Sequence, residues 1–210
     1  MTYQPIENFG VIGDLYTVAL VSMDGSIDFM CWPEFDSPSI FARLLDETKG
    51  GYFRLAPVFE EVHHKQIYLT DTNILLSRFL SKDGVAEVSD FMPVEPIGSA
   101  HTLIRRAKTA RGEVRFRMTC GPAFDYARAR RRVEKRAEGV LFIPESGRQP
   151  ALRLRTAFPV SVQDGAAVSE FTLGSGETGS FVLEAAGESD DSPSSSPSYI
   201  AETFKKTANY

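Results

Sequence analysis

An Asp-Gly dipeptide, Asp24–Gly25, lies between two runs in which apolar residues alternate with small or polar ones. A two-residue loop of this composition favours a type I′ β-hairpin, because Asp and Gly tolerate the positive φ angles that both central positions need. The sequence therefore predicts two antiparallel strands on either side of this turn. Counting outward from the turn pairs Leu20 with Phe29 and predicts a core face made of Val18, Leu20, Ile27, Phe29 and Cys31.

The opposite face of the predicted hairpin carries Asp28 and Trp32 together with several apolar side chains. A face this apolar is not expected to meet bulk solvent. We expect the side that bears Trp32, together with Ile200 and Phe204 near the end of the chain, to form an interface. In the isolated chain its occupant would be a second copy in a homo-oligomer, a crystal contact or a disordered tail.

The segment after the hairpin has the composition of a helix start. Pro33 cannot donate to a strand ladder, Asp36 or Ser37 is a suitable N-cap, and Pro38 suits the first helical position. We therefore predict a short helix over 38–46. Its apolar positions would form one stripe made of Ile40, Phe41, Leu44 and Leu45.

The rest of the chain to residue 186 consists of short apolar runs separated by turn residues. Runs at 52–56, 74–80 and 85–91 are typical strands, and further hairpins are predicted across Ser81–Gly84 and across Arg111–Gly112. Many short strands with little helix indicate an all-β fold, a large antiparallel β-sandwich of the super-sandwich type. We assign residues 1–186 to this domain.

The composition changes at residue 187. Residues 187–198 are rich in Ser, Pro and Asp and are expected to be a linker or a mobile loop. Residues 199–210 have the apolar spacing of an amphipathic helix, with Ile200, Phe204 and Ala208 on one stripe.

Residues 127–138 contain a basic cluster whose secondary structure the sequence leaves open between helix and strand. A basic cluster can bind phosphate groups, but this one lacks the interleaved aromatic residues of a nucleic-acid site. The chain also has a net charge of −5 and a pI near 5.3, which disfavour nucleic acid or an anionic membrane as partner. We expect a solvated edge whose charges discourage aggregation.

The chain shows no signal-peptide pattern and no apolar run of membrane-spanning length, so we expect a cytoplasmic location. Cys31 and Cys120 are then expected to be free thiols. The three histidines have no cysteine at a ligand-like spacing, so we predict no metal site and no cofactor.

Several motifs together resemble the N-terminal domain of glucoamylase-like and trehalase-like enzymes of glycoside hydrolase family fifteen. The resemblance covers nearly the whole chain, and Phe29 and Glu34 stand where the family usually has tryptophan and arginine. The motifs are Gly10-Val11-Ile12-Gly13-Asp14, Asp24-Gly25-Ser26-Ile27-Asp28, Phe35-Asp36-Ser37-Pro38-Ser39, Leu44-Leu45-Asp46, Thr72-Asn73-Ile74-Leu75, Ser89-Asp90-Phe91-Met92-Pro93-Val94 and Phe124-Asp125-Tyr126.

The resemblance implies a β-sandwich, a strand pair at the basic cluster, and a C-terminal linker helix that leads to a catalytic α/α barrel of the full-length chain. It also implies that the two catalytic glutamates of an inverting α-glucosidic hydrolase lie in that barrel. The domain would brace the barrel, and starch-type oligosaccharides, dextrin or trehalose form the substrate class.

The carboxylates of this chain also do not form a suitable catalytic pair. Hydrolysis needs two carboxyl groups across one sugar bond, and six extended residues separate Asp28 from Glu34 by about 20 Å. Asp36 is also expected to act as a helix cap. We therefore predict no catalytic residue in this chain and take Asp28, Trp32, Glu34 and Asp36 as candidates for a substrate pocket or an interface. The alternative is an independent carbohydrate-binding module in which Trp32 stacks on an α-glucan or on trehalose.

Overall fold

The computed structural model describes residues 4–94, 101–137, 139–146, 149–187 and 196–209. After a 3₁₀ turn at Ile6–Asn8, the elements in chain order are β1 (Phe9–Gly13), β2 (Val18–Ser22), β3 (Ser26–Cys31), β4 (Ser39–Phe41), β5 (Tyr52–Pro57), β6 (His63–Tyr68), β7 (Leu75–Leu80), β8 (Val85–Phe91), β9 (Thr102–Arg111), β10 (Val114–Gly121), α1 (Phe124–Ala127), β11 (Arg131–Arg136), β12 (Gly139–Pro144), β13 (Leu152–Thr156), β14 (Ser161–Gln163), β15 (Ala166–Leu173), β16 (Thr178–Ala185) and α2 (Pro197–Ala208).

The strands form two eight-stranded antiparallel sheets, so the predicted all-β sandwich is confirmed. Sheet 1 has the order β1-β2-β3-β5-β10-β15-β14, with β4 paired to β3. Sheet 2 has the order β11-β12-β13-β16-β9-β8-β7-β6. The core lies between the two sheets and contains large side chains from both, such as Phe53 and Phe116 from sheet 1 and Leu103 and Phe181 from sheet 2.

A buried ion pair within sheet 2 includes an arginine that also binds sheet 1. The Arg105 guanidinium on β9 donates from Nε and Nη2 to the two carboxylate oxygens of Asp90, at 2.8 and 3.0 Å. The same side chain crosses to sheet 1, where it donates to the carbonyl of Phe53 and, over 2.8 Å, to the carbonyl of Gly25. Because both charged side chains are fully buried, each depends on the other for its solvation.

The first hairpin forms, and its Leu20–Phe29 pairing is confirmed, but its predicted core face is right only for Ile27 and Cys31, which are buried. Val18 is 43% exposed, whereas Ala19, Val21 and Met30 belong to the core. The turn also differs from type I′, since Gly25 donates to the Ser22 carbonyl and, of the two turn residues, Gly25 alone has positive φ. A bulge between Leu20 and Val21 then shifts the register and places Val21 opposite Ile27.

The predicted helix over 38–46 is wrong. Ser39–Phe41 instead forms β4, which pairs with β3 through Met30–Phe41 and Cys31–Ser39. The Ile40 carbonyl accepts a hydrogen bond from the Ala123 amide at 2.7 Å, so long-range partners take the backbone groups that a helix would have used. Turns follow from residue 43 to residue 50, where Asp46 accepts hydrogen bonds from the Thr48 and Lys49 amides.

The hairpin across Ser81–Gly84 is confirmed, because β7 pairs with β8. The hairpin across Arg111–Gly112 is wrong, because the chain crosses there from sheet 2 to sheet 1. β9 pairs with β8 and β16, and β10 pairs with β5 and β15. Gly112, with φ of 83°, makes this corner between the sheets.

The basic cluster contains the strand β11, which pairs with β12 as the resemblance implied. The C-terminal helix is also confirmed, but it begins at Pro197, two residues earlier than predicted, and Ser196 caps it. Most of the predicted linker, residues 188–195, lies outside the described residues. Within the described part of the chain, neither helix is long and apolar enough to cross a membrane.

The apolar stripe of α2 is already covered within the chain, because it packs on the outer face of sheet 2. Ile200 is buried there against Phe91, Ile104 and Val182. The Phe204 ring meets the Phe91 ring edge-on at 5.5 Å. The chain itself therefore covers the part of the predicted interface that belongs to the helix.

Candidate functional site

Three connections meet at one end of the sandwich, which we call the loop end: residues 14–17, 33–38 and 124–127. Residues 14–17 join β1 to β2, residues 33–38 follow β3, and residues 124–127 follow β10. The antiparallel registers bring these strand ends together, because Gly13 pairs with Val18 and Gly121 pairs with Tyr52 at the start of β5. The fold thus assembles a surface from segments more than 100 residues apart in sequence.

Hydrogen bonds tie the three segments of the loop end together. The Phe35 amide donates to the Tyr16 carbonyl at 2.8 Å. The Gln149 side chain donates to the Pro38 carbonyl at 2.7 Å, and its oxygen accepts from the Asp125 amide at 2.8 Å. Gln149 therefore acts as a bridge between two of the loops, which sequence patterns did not indicate because its partners are backbone groups.

The backbone of the loop end is held in conformations that side-chain-bearing residues rarely adopt. Leu15 has φ of 76°, and the successive residues Asp125, Tyr126 and Ala127 have φ of 50°, 53° and 65°. A left-handed conformation costs a non-glycine residue about 1–2 kcal/mol, and such residues persist where the surroundings fix them. Segments of this kind are common at functional sites.

The loop end exposes large apolar side chains. Leu15 is 82% exposed, Phe35 is 70% exposed and Tyr126 is 42% exposed, each on one of the three connections. Apolar groups gathered on a rigid surface are typical of a contact site with another protein surface or a ligand. Trp32, around which the sequence analysis placed an interface, is not among these exposed side chains.

Trp32 lies beneath the loop end and is fully buried in the core. The predicted placement of its side chain at an interface is wrong, because Trp32 lies on the inward face of the hairpin. Its ring packs edge-on against His101 with centroids 6.1 Å apart. Among the described residues its indole Nε1 has no hydrogen-bond partner. A sugar ring cannot stack on this side chain in the folded domain.

His101 forms a second polar feature that the sequence analysis missed. Its Nδ1 lies 2.6 Å from Oδ2 of the buried Asp14 carboxylate. The other oxygen of Asp14 accepts the amides of Tyr16 and Thr17 at 3.0 and 2.9 Å. Asp14 thus closes the first connection and holds His101 beside Tyr16. Asp14 stands in one of the recognised motifs, whereas no sequence signal pointed to His101.

Asp28 is buried in a different environment from the other candidate carboxylates. Ser26 donates to its Oδ1 at 2.5 Å, and Arg43 lies 3.7 Å from the same oxygen. Burial raises the pKa of the Asp28 carboxyl, against the opposing effects of the Ser26 hydrogen bond and the Arg43 charge. A carboxyl group with a raised pKa is a feature of many acid catalysts, but structural ion pairs produce it as well.

Glu34 and Asp36 lie in an exposed turn of the loop end. The Ser37 amide donates to the Glu34 carbonyl at 3.1 Å and closes this turn. Burial, and then the nearby Asp36 charge, raises the pKa of the Cys31 thiol. Cys31 and Cys120 are both free and buried. The structure therefore brings Glu34 and Asp36 together and keeps Asp28 in a separate environment.

Metal ligation has no candidate in the described ranges, because no three His, Cys, Asp or Glu side chains cluster there in a way that would hold an ion. The loop end is consequently a surface of fixed loops and exposed apolar groups, with two carboxylates in solvent. A surface of this kind suits contact with another protein surface or the positioning of a ligand.

Several known proteins share sequence with this chain. A family model described as "Trehalase-like, N-terminal" matches residues 2–157. A trehalase of Thermoplasma acidophilum is 37% identical over 131 residues, which cover 60% of this chain and 22% of the relative. Trehalase 1 of Sulfolobus acidocaldarius is 34% identical over 144 residues, 69% of this chain and 24% of the relative. A trehalase of Mycobacterium tuberculosis is 29% identical over 186 residues, which cover 77% of this chain and 27% of the relative. The chain thus spans about a quarter of the length of these relatives.

Proposed function

The chain belongs to the trehalase-like N-terminal domain family, and we propose that it is the non-catalytic β-sandwich domain of a glycoside hydrolase that acts on α-glucosidic bonds. In this proposal the domain braces a catalytic α/α barrel of the same full-length protein and lines part of its substrate pocket. Trehalose is the favoured substrate because the relatives bear the name trehalase. Starch-type oligosaccharides of the glucoamylase class are the second choice.

The loop end is the observation that carries this proposal. Its connections are fixed by Gln149 and by the Phe35–Tyr16 hydrogen bond, so they form a rigid wall that need not order when another domain docks. The exposed side chains Leu15 and Phe35 supply apolar area for a domain interface. Asp36 and Glu34 stand beside them and suit hydrogen bonds to sugar hydroxyls or to polar groups of the barrel.

The carboxylates of the chain support a non-catalytic role. An inverting hydrolase needs a general acid and a general base about 6.5–9.5 Å apart, on opposite sides of one sugar bond and inside a common pocket. Asp28 is buried beside Arg43, whereas Glu34 and Asp36 face solvent. Their environments do not resemble two walls of one pocket. We accordingly assign the acid and the base to the barrel.

The proposal includes a cytoplasmic location. Two free, buried thiols, Cys31 and Cys120, suit a reducing compartment. The alternative function, an independent carbohydrate-binding module, loses its original basis because Trp32 is buried. Such a module would have to bind sugar through Phe35 and Tyr126 instead.

Activity measurements on the 210-residue chain and on the full-length protein test the proposal. We expect the chain to hydrolyse neither trehalose nor maltotriose, and the full-length protein to hydrolyse at least one of them. In the full-length protein, Phe35→Ala should raise KM or lower the melting temperature by modest amounts. Val162→Ala is the matched control, because Val162 is an exposed apolar residue on the distant edge strand β14.

Two results would overturn the assignment. Hydrolysis by the chain alone would place the catalytic groups within it. A loss of turnover by several orders of magnitude in Asp28→Asn or Asp36→Asn, with folding intact, would show that the domain performs the chemistry. Titration of the chain with trehalose and maltotriose distinguishes the proposed bracing domain from an independent carbohydrate-binding module. Such a module would bind these sugars without the barrel and would lose binding in Tyr126→Ala.

A further inference from the structure

The outer face of sheet 1 holds an open groove with a volume of about 900 Å³. Its floor is made by outward positions of β5, β10 and β15, where small residues such as Ala56, Gly121 and Ala166 leave space. The turn at 47–49, residues 127–131 and residues 163–164 form its sides. A volume of this size is typical of small-molecule sites.

Four cationic side chains and two acidic ones line the groove. The cations are Lys49, Arg54, Arg117 and Arg131, and the acids are Glu47 and Asp164. This excess of positive charge stands out in a chain with a net charge of −5. Charge in a concave site attracts small ions of opposite sign more strongly than charge on a flat surface does.

The arginines of the groove differ in their partners. Arg54 lies 3.4 Å from the Asp24 carboxylate, and Arg117 lies 3.2 Å from that of Glu170. Arg131 is half-buried and donates from Nε and Nη2 to one acceptor, the Gly165 carbonyl, at 3.3 and 3.0 Å. Within the described ranges, Arg131 pairs with no carboxylate.

A half-buried guanidinium without a counter-ion is an unusual arrangement, because burial removes water without replacing its solvation. Burial also lowers the pKa of Arg131, as expected for a charged group whose lost hydration no counter-ion replaces. Its Nη1 group and the second N–H of Nη2 donate to no described residue. These donors have the planar fork geometry that carboxylate and phosphate oxygens match.

We propose that the groove binds a small organic anion whose carboxylate or phosphate oxygens accept two hydrogen bonds from Arg131. Lys49 adds a second positive charge at the wall, and Tyr52, whose ring packs against the Arg43 guanidinium, also lines the groove. Gly121 lies next to the guanidinium, since a Cβ atom there would be 3.8 Å from Nη2 of Arg131. The groove borders the loop end at Ala127, but anion binding there does not depend on the hydrolysis proposed above.

Calorimetric titration of the 210-residue chain tests this site with four probes: inorganic phosphate, glucose 6-phosphate, citrate and neutral maltotriose. We expect saturable binding of at least one anion at millimolar or lower concentration, weaker at high salt, and no binding of maltotriose to this groove. Comparison of phosphate with citrate separates the two oxyanion classes. Comparison of phosphate with glucose 6-phosphate shows whether the organic part contributes.

Substitutions on one strand assign the site. Arg131→Gln should weaken anion binding about tenfold or more, because it removes the charge and the fork. Arg136→Gln is the matched control on the same strand, since Arg136 is exposed, pairs with Glu134 and does not line the groove. It should change affinity less than about twofold.

Arg131→Lys covers the case in which Arg131→Gln does not fold. It keeps the charge but loses the bidentate geometry, so we expect affinity to fall about three- to tenfold. Equal losses in Arg131→Gln and Arg136→Gln would show non-specific charge attraction and overturn the proposal. Absence of saturable anion binding, or maltotriose binding that Arg131→Lys weakens, would overturn it as well. None of these readouts depends on hydrolysis.

Discussion

Replacement of Gly25 by alanine should destabilise the domain strongly, because this glycine meets two independent constraints. Its φ is 80°, which costs a non-glycine residue about 1–2 kcal/mol. A Cβ atom at this position would also lie 2.5 Å from the Leu55 carbonyl oxygen and 3.1 Å from Phe79. The Gly25 carbonyl accepts hydrogen bonds from the Leu55 amide and from Arg105, so the turn cannot move away freely.

The two contributions give the expected magnitude. Relief of the close approach requires a backbone shift of β5, and overpacking of this kind costs about 1–3 kcal/mol. Together with the conformational cost, Gly25→Ala should lower the free energy of unfolding by about 2–5 kcal/mol. For a domain of this size each kcal/mol lowers the melting temperature by about 2–4 °C. We therefore expect a decrease of roughly 4–20 °C.

Gly176→Ala is the matched control. Gly176 has nearly the same backbone conformation, with φ of 86°, but nothing lies within 4 Å of the position that its Cβ would take. It should show the conformational cost alone, about 1–2 kcal/mol. Urea denaturation of both variants gives the difference directly. Equal losses in the two variants would refute the close approach of the turn to β5, and with it the account of how the hairpin packs.

Three other perturbations test separate parts of the fold. Asp90→Asn should cost about 3–5 kcal/mol in urea denaturation because it leaves Arg105 buried without its counter-ion, and a loss below about 1 kcal/mol would contradict the buried pair. Burial raises the pKa of Asp28, so its ionisation destabilises the folded state as the pH rises from about 4, the pKa of an unfolded Asp, through the raised value. Asp28→Asn should accordingly gain stability relative to wild type over that interval, and parallel pH curves would contradict this. Phe204→Ala should cost about 1–3 kcal/mol and speed amide hydrogen exchange in α2, whereas Glu202→Ala, an exposed change on the same helix, should do neither.

Local sequence rules determined most of the strands and several of the turns. Alternation and turn residues located β7, β8 and the hairpin between them, and apolar spacing located α2 to within two residues of its start. These features depend on neighbours a few positions apart, which a single sequence displays directly. The same rules wrongly predicted a helix start at Pro38, because a capping residue followed by proline is the usual local pattern of a helix N-terminus. The partners that turned Ser39–Phe41 into a strand lie on β3 and at Ala123.

The candidate site was less accessible to sequence reasoning. The motifs directed attention to residues 33–38 and to Asp125–Tyr126, and the structure does place these segments together. Their link, Gln149, binds backbone groups and has no sequence signature. His101 and the half-buried Arg131 are similar cases, since their importance comes from neighbours that are distant in sequence.

The sequence by itself determined that the chain is a β-sandwich, where most strands lie, and which family it belongs to. The tertiary structure decided which face of each strand points inward and which strands pair. Both faces of the first hairpin are apolar, so alternation could not identify the inner face that buries Trp32, and the bulge after Leu20 changed the register that counting had fixed. A shift of one residue turns every side chain of a strand to the opposite face. Pairing and facing depend on contacts between strands far apart in sequence, as at Gly112, where an apparent hairpin turn carries the chain from one sheet to the other.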